Sequence, residues 1–167
     1  MWSQIQPYFK EYPAQLKVAQ LLFERGLQVR EDGKVVSGGI EIPHTQIAKE
    51  VDVDRRAVDS TVQTILANAR LKRIYTHLKQ VVLLQEVARE FGLGVIEFVP
   101  EDAAQVGIIS DVARIVSEKD ISIRQALAED PDLSDHPKLI LIIAGDIPPN
   151  LISELRKLPG ARSVTVY

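Results

Sequence analysis

V-I-E-F-V-P-E-D-A-A-Q-V-G-I-I-S-D-V-A-R-I-V-S-E-K-D-I-S-I, from Val95 to Ile123, holds two apolar periods in succession. Val95, Ile96, Phe98 and Val99 suit a buried strand, whereas Ile108, Ile109, Val112, Ala113 and Val116 recur at the spacing of one helical face. Pro100 stops the strand, Glu101 and Asp102 remain in water, and Gly107 sits where backbone is expected to press against the helix start. Alternation resumes at Ile121, Ile123, Gln125 and Leu127. The stretch therefore reads as the first half of a β-α-β-β-α-β sandwich, with its strand-to-helix corner a candidate seat for a ligand.

The second half follows the same order. After the polar run from Ala128 to Pro137, Lys138 to Ala144 is an apolar strand that must be covered on both faces or lie at a subunit contact. Gly145-Asp146 and Pro148-Pro149 lead into a helix with Leu151, Ile152, Leu155 and Leu158 inward, and Pro159-Gly160 turns out to a last strand, Ser163 to Tyr167. Upstream, H-L-K-Q-V-V-L-L-Q-E-V-A-R-E-F from His77 to Phe91 has too many apolar residues for one narrow face. It predicts a helix over 77–92, buried on more than one side, that bridges two modules or pairs with a second subunit.

The front of the chain reads as a helical module over residues 1–76. After a polar opening, Pro13 begins a helix whose face is Leu16, Ala19, Leu22 and Phe23, and Gly26 ends it. Glu31-Asp32-Gly33 marks a hairpin between Leu27–Arg30 and Lys34–Ser37. Gly38-Gly39 is expected to break that ribbon, with Ile40 to Pro43 a short extended lead. Thr45 to Ile65 then gives two helices crossing at a tight turn: Ile47, Ala48 and Val51 face inward, Val53 plugs the turn, and Val58, Val62, Ile65 and Leu66 face inward again. Asp54 is placed to cap the second helix, which exposes Arg55 and Arg56 at its start.

Composition is that of a globular protein, with 46% hydrophobic and 26% charged residues. With no cysteine, disulfides and thiolate metal sites are excluded, and no signal-type segment or apolar run of membrane length appears, so a cytoplasmic protein without a membrane partner is expected. Residues 1–76 carry 11 Lys or Arg against 9 acids and residues 77–167 carry 9 against 14, so the front is +2 and the back −5. That split suits an anion-facing module joined to one with no need of nucleic acid.

The pair of crossing helices resembles the helix-turn-helix of transcription regulators, with Ala48, Val53, Val58 and Val62 at its small and apolar positions and Asp52 where glycine is usual. The resemblance implies a recognition helix in the major groove of double-stranded DNA, reaching bases or phosphates with Arg55, Arg56 and Asp59, then Gln63. The bland alternative is a three-helix module that only docks protein. Arg70, Lys72 and Arg73 form a second basic cluster, which either holds a neighbouring phosphate or is a solvated helix end.

V-G-I-I-S-D-V-A-R-I-V, D-I-S-I and L-R-K-L-P-G-A-R-S-V-T-V, in that order, resemble an ACT domain over residues 93–167. The whole chain resembles archaeal proteins described as predicted regulators of amino-acid metabolism. The fold class implied is α+β: an N-terminal helix-turn-helix, winged-helix-like module and a C-terminal ferredoxin-like βαββαβ domain. ACT domains pair through their sheets as homodimers or higher homo-oligomers and bind a small effector, usually an amino acid, between the first loop and a partner's second strand. Gly107 matches the loop glycine, and Ile108 and Ile109 follow it, with N–H groups suited to a carboxylate. Ile121, Ser122 and Ile123 match the facing strand. Many members carry Asn or Asp where this chain has Ala104, which leaves Asp102 or Gln105 to answer an ammonium.

Enzyme chemistry has no evident residues. His44, His77 and His136 are far apart and at no metal-ligand spacing, no dinucleotide or phosphate-loop glycine motif is present, and Glu129, Asp130, Asp132 and Asp135 fall in one wet loop. Neither a metal nor a cofactor is expected. The leading expectation is an amino-acid-responsive transcriptional regulator. The alternative is an amino-acid-sensing regulatory subunit that docks on a biosynthetic enzyme without DNA, and a third reading is an empty structural dimer.

Overall fold

The computed structural model describes residues 1–167, and the chain divides into two compact units, Met1–Val81 and Val82–Tyr167. No helix is long and apolar enough to cross a membrane.

In the first unit α1 (Pro13–Glu24) is followed by β1 (Gln28–Val29), β2 (Val35–Ser37) and β3 (Ile40–Ile42), then by α2 (His44–Glu50), α3 (Arg55–Ala67) and α4 (Ala69–Tyr75). The expected hairpin forms, with Gln28 opposite Val36 and Val29 opposite Val35. Gly38-Gly39 does not break the ribbon. It is a two-residue loop that returns the chain antiparallel, pairing Ser37 with Ile40 and Val35 with Ile42, and Gly38 supplies the positive φ of 59° that such a loop needs at its first position. All three strands precede the helix pair in the chain.

The opening is less polar than its composition suggests. Trp2, Ile5 and Phe9 are buried across two short 3₁₀ turns, and Trp2 packs on Phe23 with ring centroids 5.9 Å apart. Tyr75 is fully buried and its hydroxyl donates to the Ala19 carbonyl at 2.9 Å, so α4 is stitched to α1 and burial raises the phenol's pKa.

The turn between α2 and α3 closes by two bonds. The Val53 N–H donates to the Ala48 carbonyl at 2.9 Å and the Asp52 N–H to the Lys49 carbonyl at 3.4 Å, the pattern of a Schellman cap. Asp52 holds the left-handed position at φ 53°, where glycine would be unstrained. Asp54 then caps α3, its carboxylate accepting from the Arg56 N–H at 2.8 Å.

In the second unit β4 (Leu93–Pro100), α5 (Ile108–Ser117), β5 (Ile123–Ala128), β6 (Leu139–Ala144), α6 (Pro149–Leu155) and β7 (Ala161–Val166) make an antiparallel sheet in the order β5-β6-β4-β7. The βαββαβ order read from the sequence is the one observed, and the protein as a whole is α+β. Leu139 to Ile143 are all buried because β6 is covered twice. Leu139, Leu141 and Ile143 pack with Val112, Ile115, Val116, Leu151 and Leu155 on one face, while Ile140 and Ile142 meet Ala88, Val95, Leu84 and Leu93 on the other.

That second cover corrects the helix expected over 77–92. Only Gln85–Phe91 is helical, as a 3₁₀ segment ended by Gly92 at φ 65°, and residues 78–84 are irregular. The β-branched pair Val81-Val82 weakens any helix, and the backbone is engaged otherwise. Gln125 on β5 accepts from the Leu84 N–H at 3.0 Å and donates to the Val82 carbonyl at 2.7 Å. The excess apolar residues are accounted for by exposure: Val81, Val82, Leu83 and Val87 remain in solvent.

β5 also departs from the single alternation expected of it. Its register slips between Ile123 and Gln125, so Ile121 and Ile123 pack on the helix-side core whereas Gln125, opposite Ile142, reaches the other face. On that face Glu97 is buried, with its Oε1 accepting from Gln85 Nε2 at 2.6 Å and Lys138 Nζ at 2.7 Å. This bond raises the Lys138 pKa above its ordinary 10.5.

Asp52→Gly is expected to stabilise the first unit by about 0.5 kcal/mol and Asp52→Val to destabilise it by about 1–2 kcal/mol. Urea unfolding followed by Trp2, the single tryptophan, reads both. Glu97→Gln is expected to cost about 1–2 kcal/mol at pH 7. Because the folded lysine pKa is raised, the ion pair's contribution is complete below 10.5 and fades as pH rises through the raised value. The gap between wild type and variant, followed by amide exchange in β4, therefore narrows in that window.

Candidate functional site

Two clusters have the geometry of binding surfaces, one in each unit. In the first unit, the start of α3 presents Arg55 and Arg56, both exposed, with Gln63 exposed two turns on. The two acids beside them are occupied. Asp54 is spent on the cap, and Asp59 accepts from His44 Nδ1 at 2.6 Å while its other oxygen lies 3.5 Å from Arg55 Nε. His44, at the first position of α2, thus ties the two helices together. The pairing of Asp59 was not legible in the sequence, because His44 and Asp59 are fifteen residues apart on different helices.

The second basic cluster is dispersed rather than continuous with α3. Asn68 ends α3 and caps α4, accepting from the Arg70 and Leu71 N–H groups at 3.0 and 3.1 Å, so Arg70, Lys72 and Arg73 stand on a separate helix. Lys72 is 2.8 Å from Glu31 and the Arg70 guanidinium binds Gln4; Arg73 is exposed.

In the second unit, the corner between β4 and α5 holds a cavity of about 280 Å³ lined by Pro100, Ala103, Gln105, Gly107, Ile108, Leu139 and, across from them, Glu129. Ile109 and Ser110 also border it. The first helical bond of α5 runs from the Asp111 N–H to the Gly107 carbonyl at 2.9 Å, so the N–H groups of Ile108, Ile109 and Ser110 come before the helix's own ladder. They make the positive end of the helix dipole part of the cavity wall.

Gly107 is constrained differently from the sequence-based expectation. A methyl group there would have room, with Asp111 Oδ2 3.9 Å away, but φ is 98°, a conformation that side chains rarely adopt. Gly160 packs against the tip of the Gln105 side chain, where a Cβ would stand 2.5 Å from Oε1 and the amide would have to swing aside. Asp102 does not line the cavity; its carboxylate accepts from the Ala104 N–H at 2.9 Å and holds the loop.

Ile121, Ser122 and Ile123 lie at the other end of the sheet. Ile123 stands opposite Ile143, whereas Ala128, at the cavity, stands opposite Leu139. One chain therefore does not bring these residues to Gly107; five strand positions separate the ends, roughly 17 Å. Glu129, by sequence one acid of a wet loop, borders the cavity. Its Oε2 accepts from Ser134 Oγ and the Lys138 N–H, both at 3.3 Å, which fixes the side chain at the β5–β6 turn that borders the cavity.

No protein-family model matches the chain, and no curated protein matches it. Among solved structures, the ACT domain from GTP pyrophosphokinase of Chlorobium tepidum is 24% identical, covers 45% of this chain and 96% of that one, and has a TM-score of 0.36. An AsnC family transcriptional regulator from Agrobacterium tumefaciens is 13% identical, with 93% and 87% covered and a TM-score of 0.31. A transcriptional regulatory protein of the AsnC family from Pyrococcus furiosus is 7% identical, with 75% and 77% covered and a TM-score of 0.29. At these TM-scores the likenesses carry no weight for function.

Gly107→Ala is expected to cost about 1–2 kcal/mol through backbone strain alone, since the added methyl meets no tight contact. Amide exchange along α5 measures it, and an unchanged rate would place the constraint elsewhere.

Proposed function

We propose that this protein is an amino-acid-responsive transcriptional regulator. The observation that carries the reading is the start of α3, where a Schellman turn and an aspartate cap present Arg55 and Arg56 in solvent, Arg56 with no ion pair and Arg55 3.5 Å from Asp59. A helix start of that kind is suited to phosphates and base edges in a major groove, with Gln63 one further contact and Arg73 a phosphate contact on α4. Paired two-fold, two such helices would need to meet successive major grooves about 34 Å apart.

The effector in this reading is a small amino acid in the corner beside Gly107. The free N–H groups of Ile108 and Ile109 take its carboxylate, and Glu129 takes its ammonium in place of the carboxamide that Ala104 lacks. Pro100, Ala103 and Leu139 leave an apolar recess, and about 280 Å³ suits a small metabolite. Ile121–Ile123 of a second copy would close the corner, so binding and self-association are linked.

Duplexes selected from a random pool are expected to be retarded by the protein. In Arg55→Ala/Arg56→Ala the affinity falls at least tenfold, and the slope of log K against log salt falls by about 2. Unchanged affinity in the double variant would remove α3 from the interface. A thermal-shift screen of the twenty amino acids is expected to show stabilisation that Glu129→Gln abolishes.

A further inference from the structure

We infer that the outer face of the second unit's sheet holds a binding groove, with Glu97 on its floor and Arg89 on its wall, for a zwitterion the length of a dipeptide. The inference does not rest on the effector corner, which is built on the first turn of α5 and the loop before it. β7 turns Val164 and Val166 to the helix-side core, so Ser163 and Thr165 belong to the outer face, where both are exposed. The 3₁₀ segment Gln85–Phe91 packs on the same face over β4 and β6, through Ala88 on Val95, Ile140 and Ile142. Beside it a cavity of about 540 Å³ opens between Gln85, Glu86 and Arg89 of that segment and Val95, Glu97 and Lys138 of the sheet.

Glu97 is 9% exposed and stands opposite Ile140 on β6 and Thr165 on β7. Its Oε1 takes two donors, Gln85 Nε2 at 2.6 Å and Lys138 Nζ at 2.7 Å, and its Oε2 takes none. An ion pair withdrawn from water contributes little net stability, and apolar residues would close the sheet as well. What this pair does provide is a carboxylate oxygen fixed in place without a partner, on a residue that lines the cavity. Glu86 and Arg89 are exposed, and neither side chain makes an ion pair or hydrogen bond. The groove therefore has two ends of opposite charge. Glu97 Oε2 and Glu86 lie by Gln85 and suit an ammonium, whereas Arg89 stands four residues further on, roughly 8 Å along a 3₁₀ segment at about 2 Å per residue, and suits a carboxylate. An α-amino acid, whose two charges flank one carbon, is too short to meet both; a dipeptide, at roughly 3.5 Å per residue, spans the interval.

Proton–nitrogen-15 spectra of the full chain titrated with alanyl-alanine test the groove, with glycine as a zwitterion too short for it and N-acetylalanine as a carboxylate of similar length without the ammonium. Alanyl-alanine is expected to displace the amide resonances of Gln85, Arg89 and Glu97, and both controls to bind there at least about tenfold more weakly. Two variants are each expected to weaken alanyl-alanine binding at least about tenfold. Arg89→Ala removes an exposed side chain that has no partner in the fold, and Glu97→Gln keeps an acceptor for Gln85 and Lys138 while setting an NH₂ donor in place of Oε2. No displacement at these residues, equal binding of either control, or unchanged binding in Arg89→Ala overturns the groove. Displacement confined to Gly107–Ser110 and lost in Glu129→Gln also overturns it, and supports the corner instead. A corner that responds to none of the twenty amino acids overturns the effector reading and leaves the groove standing.

Discussion

Burial of β6 on both faces is the constraint from which the rest of the second unit follows. Five consecutive residues, Leu139 to Ile143, are withdrawn from water, each contributing about 1.5–3 kcal/mol when fully covered. A βαββαβ unit supplies helices to one face of its sheet only. The other face must be closed by something outside that pattern, and here it is closed by Leu84, Ala88 and the 3₁₀ segment that follows the unit boundary. The segment is thus fixed to the sheet by the same apolar burial that makes β6 possible. Glu97 adds a polar rivet through Gln85, with Lys138 neutralising a charge that would otherwise be stranded on an apolar face.

The first unit depends on a different economy, that of orphaned backbone groups. Its helices are short: α2 and α4 run seven residues each, and none could persist alone in water. Side chains and turns stop their ends. Val53 and Asp52 satisfy the end of α2, Asp54 the start of α3, and Asn68 the start of α4. The caps use one carboxylate and one carboxamide, each held in place by backbone N–H groups. Asp54 accepts from the Arg56 N–H and Asp59 is shared between His44 and Arg55, so both carboxylates at the start of α3 have partners within the protein.

How much of this could be read beforehand follows from the range of each signal. The βαββαβ order, the hairpin at Asp32-Gly33, the inward faces of α2 and α3 and the cap at Asp54 were legible because each is set by residues within one or two turns of one another. The double cover of β6 was legible as a requirement but not as a partner. Period alone predicted a helix over 77–92, since it cannot see that Gln125, some forty residues later, takes the backbone bonds that a helix would have used. The slipped register of β5 was invisible for the same reason: Ile121, Ile123, Gln125 and Leu127 alternate perfectly in sequence, and only pairing with β6 divides them between two faces. At the candidate site, Gly107, Ile108 and Ile109 were proposed through the resemblance to ACT domains and do border the cavity, whereas Glu129 enters through the β5–β6 turn and has no local mark.

Regulation of the proposed kind would require little energy. Coupling free energies of about 1–3 kcal/mol alter affinity by roughly 5- to 150-fold. On the proposed reading, that amount need not come from a new contact at the DNA face. The effector corner and Ile121–Ile123 stand at opposite ends of one sheet, and a ligand touching both would have to do so across two chains. Each ligand would then join the helix start of one chain to the strand of the other. On the proposed reading, effector binding and pairing of two chains would then be thermodynamically linked, each favouring the other.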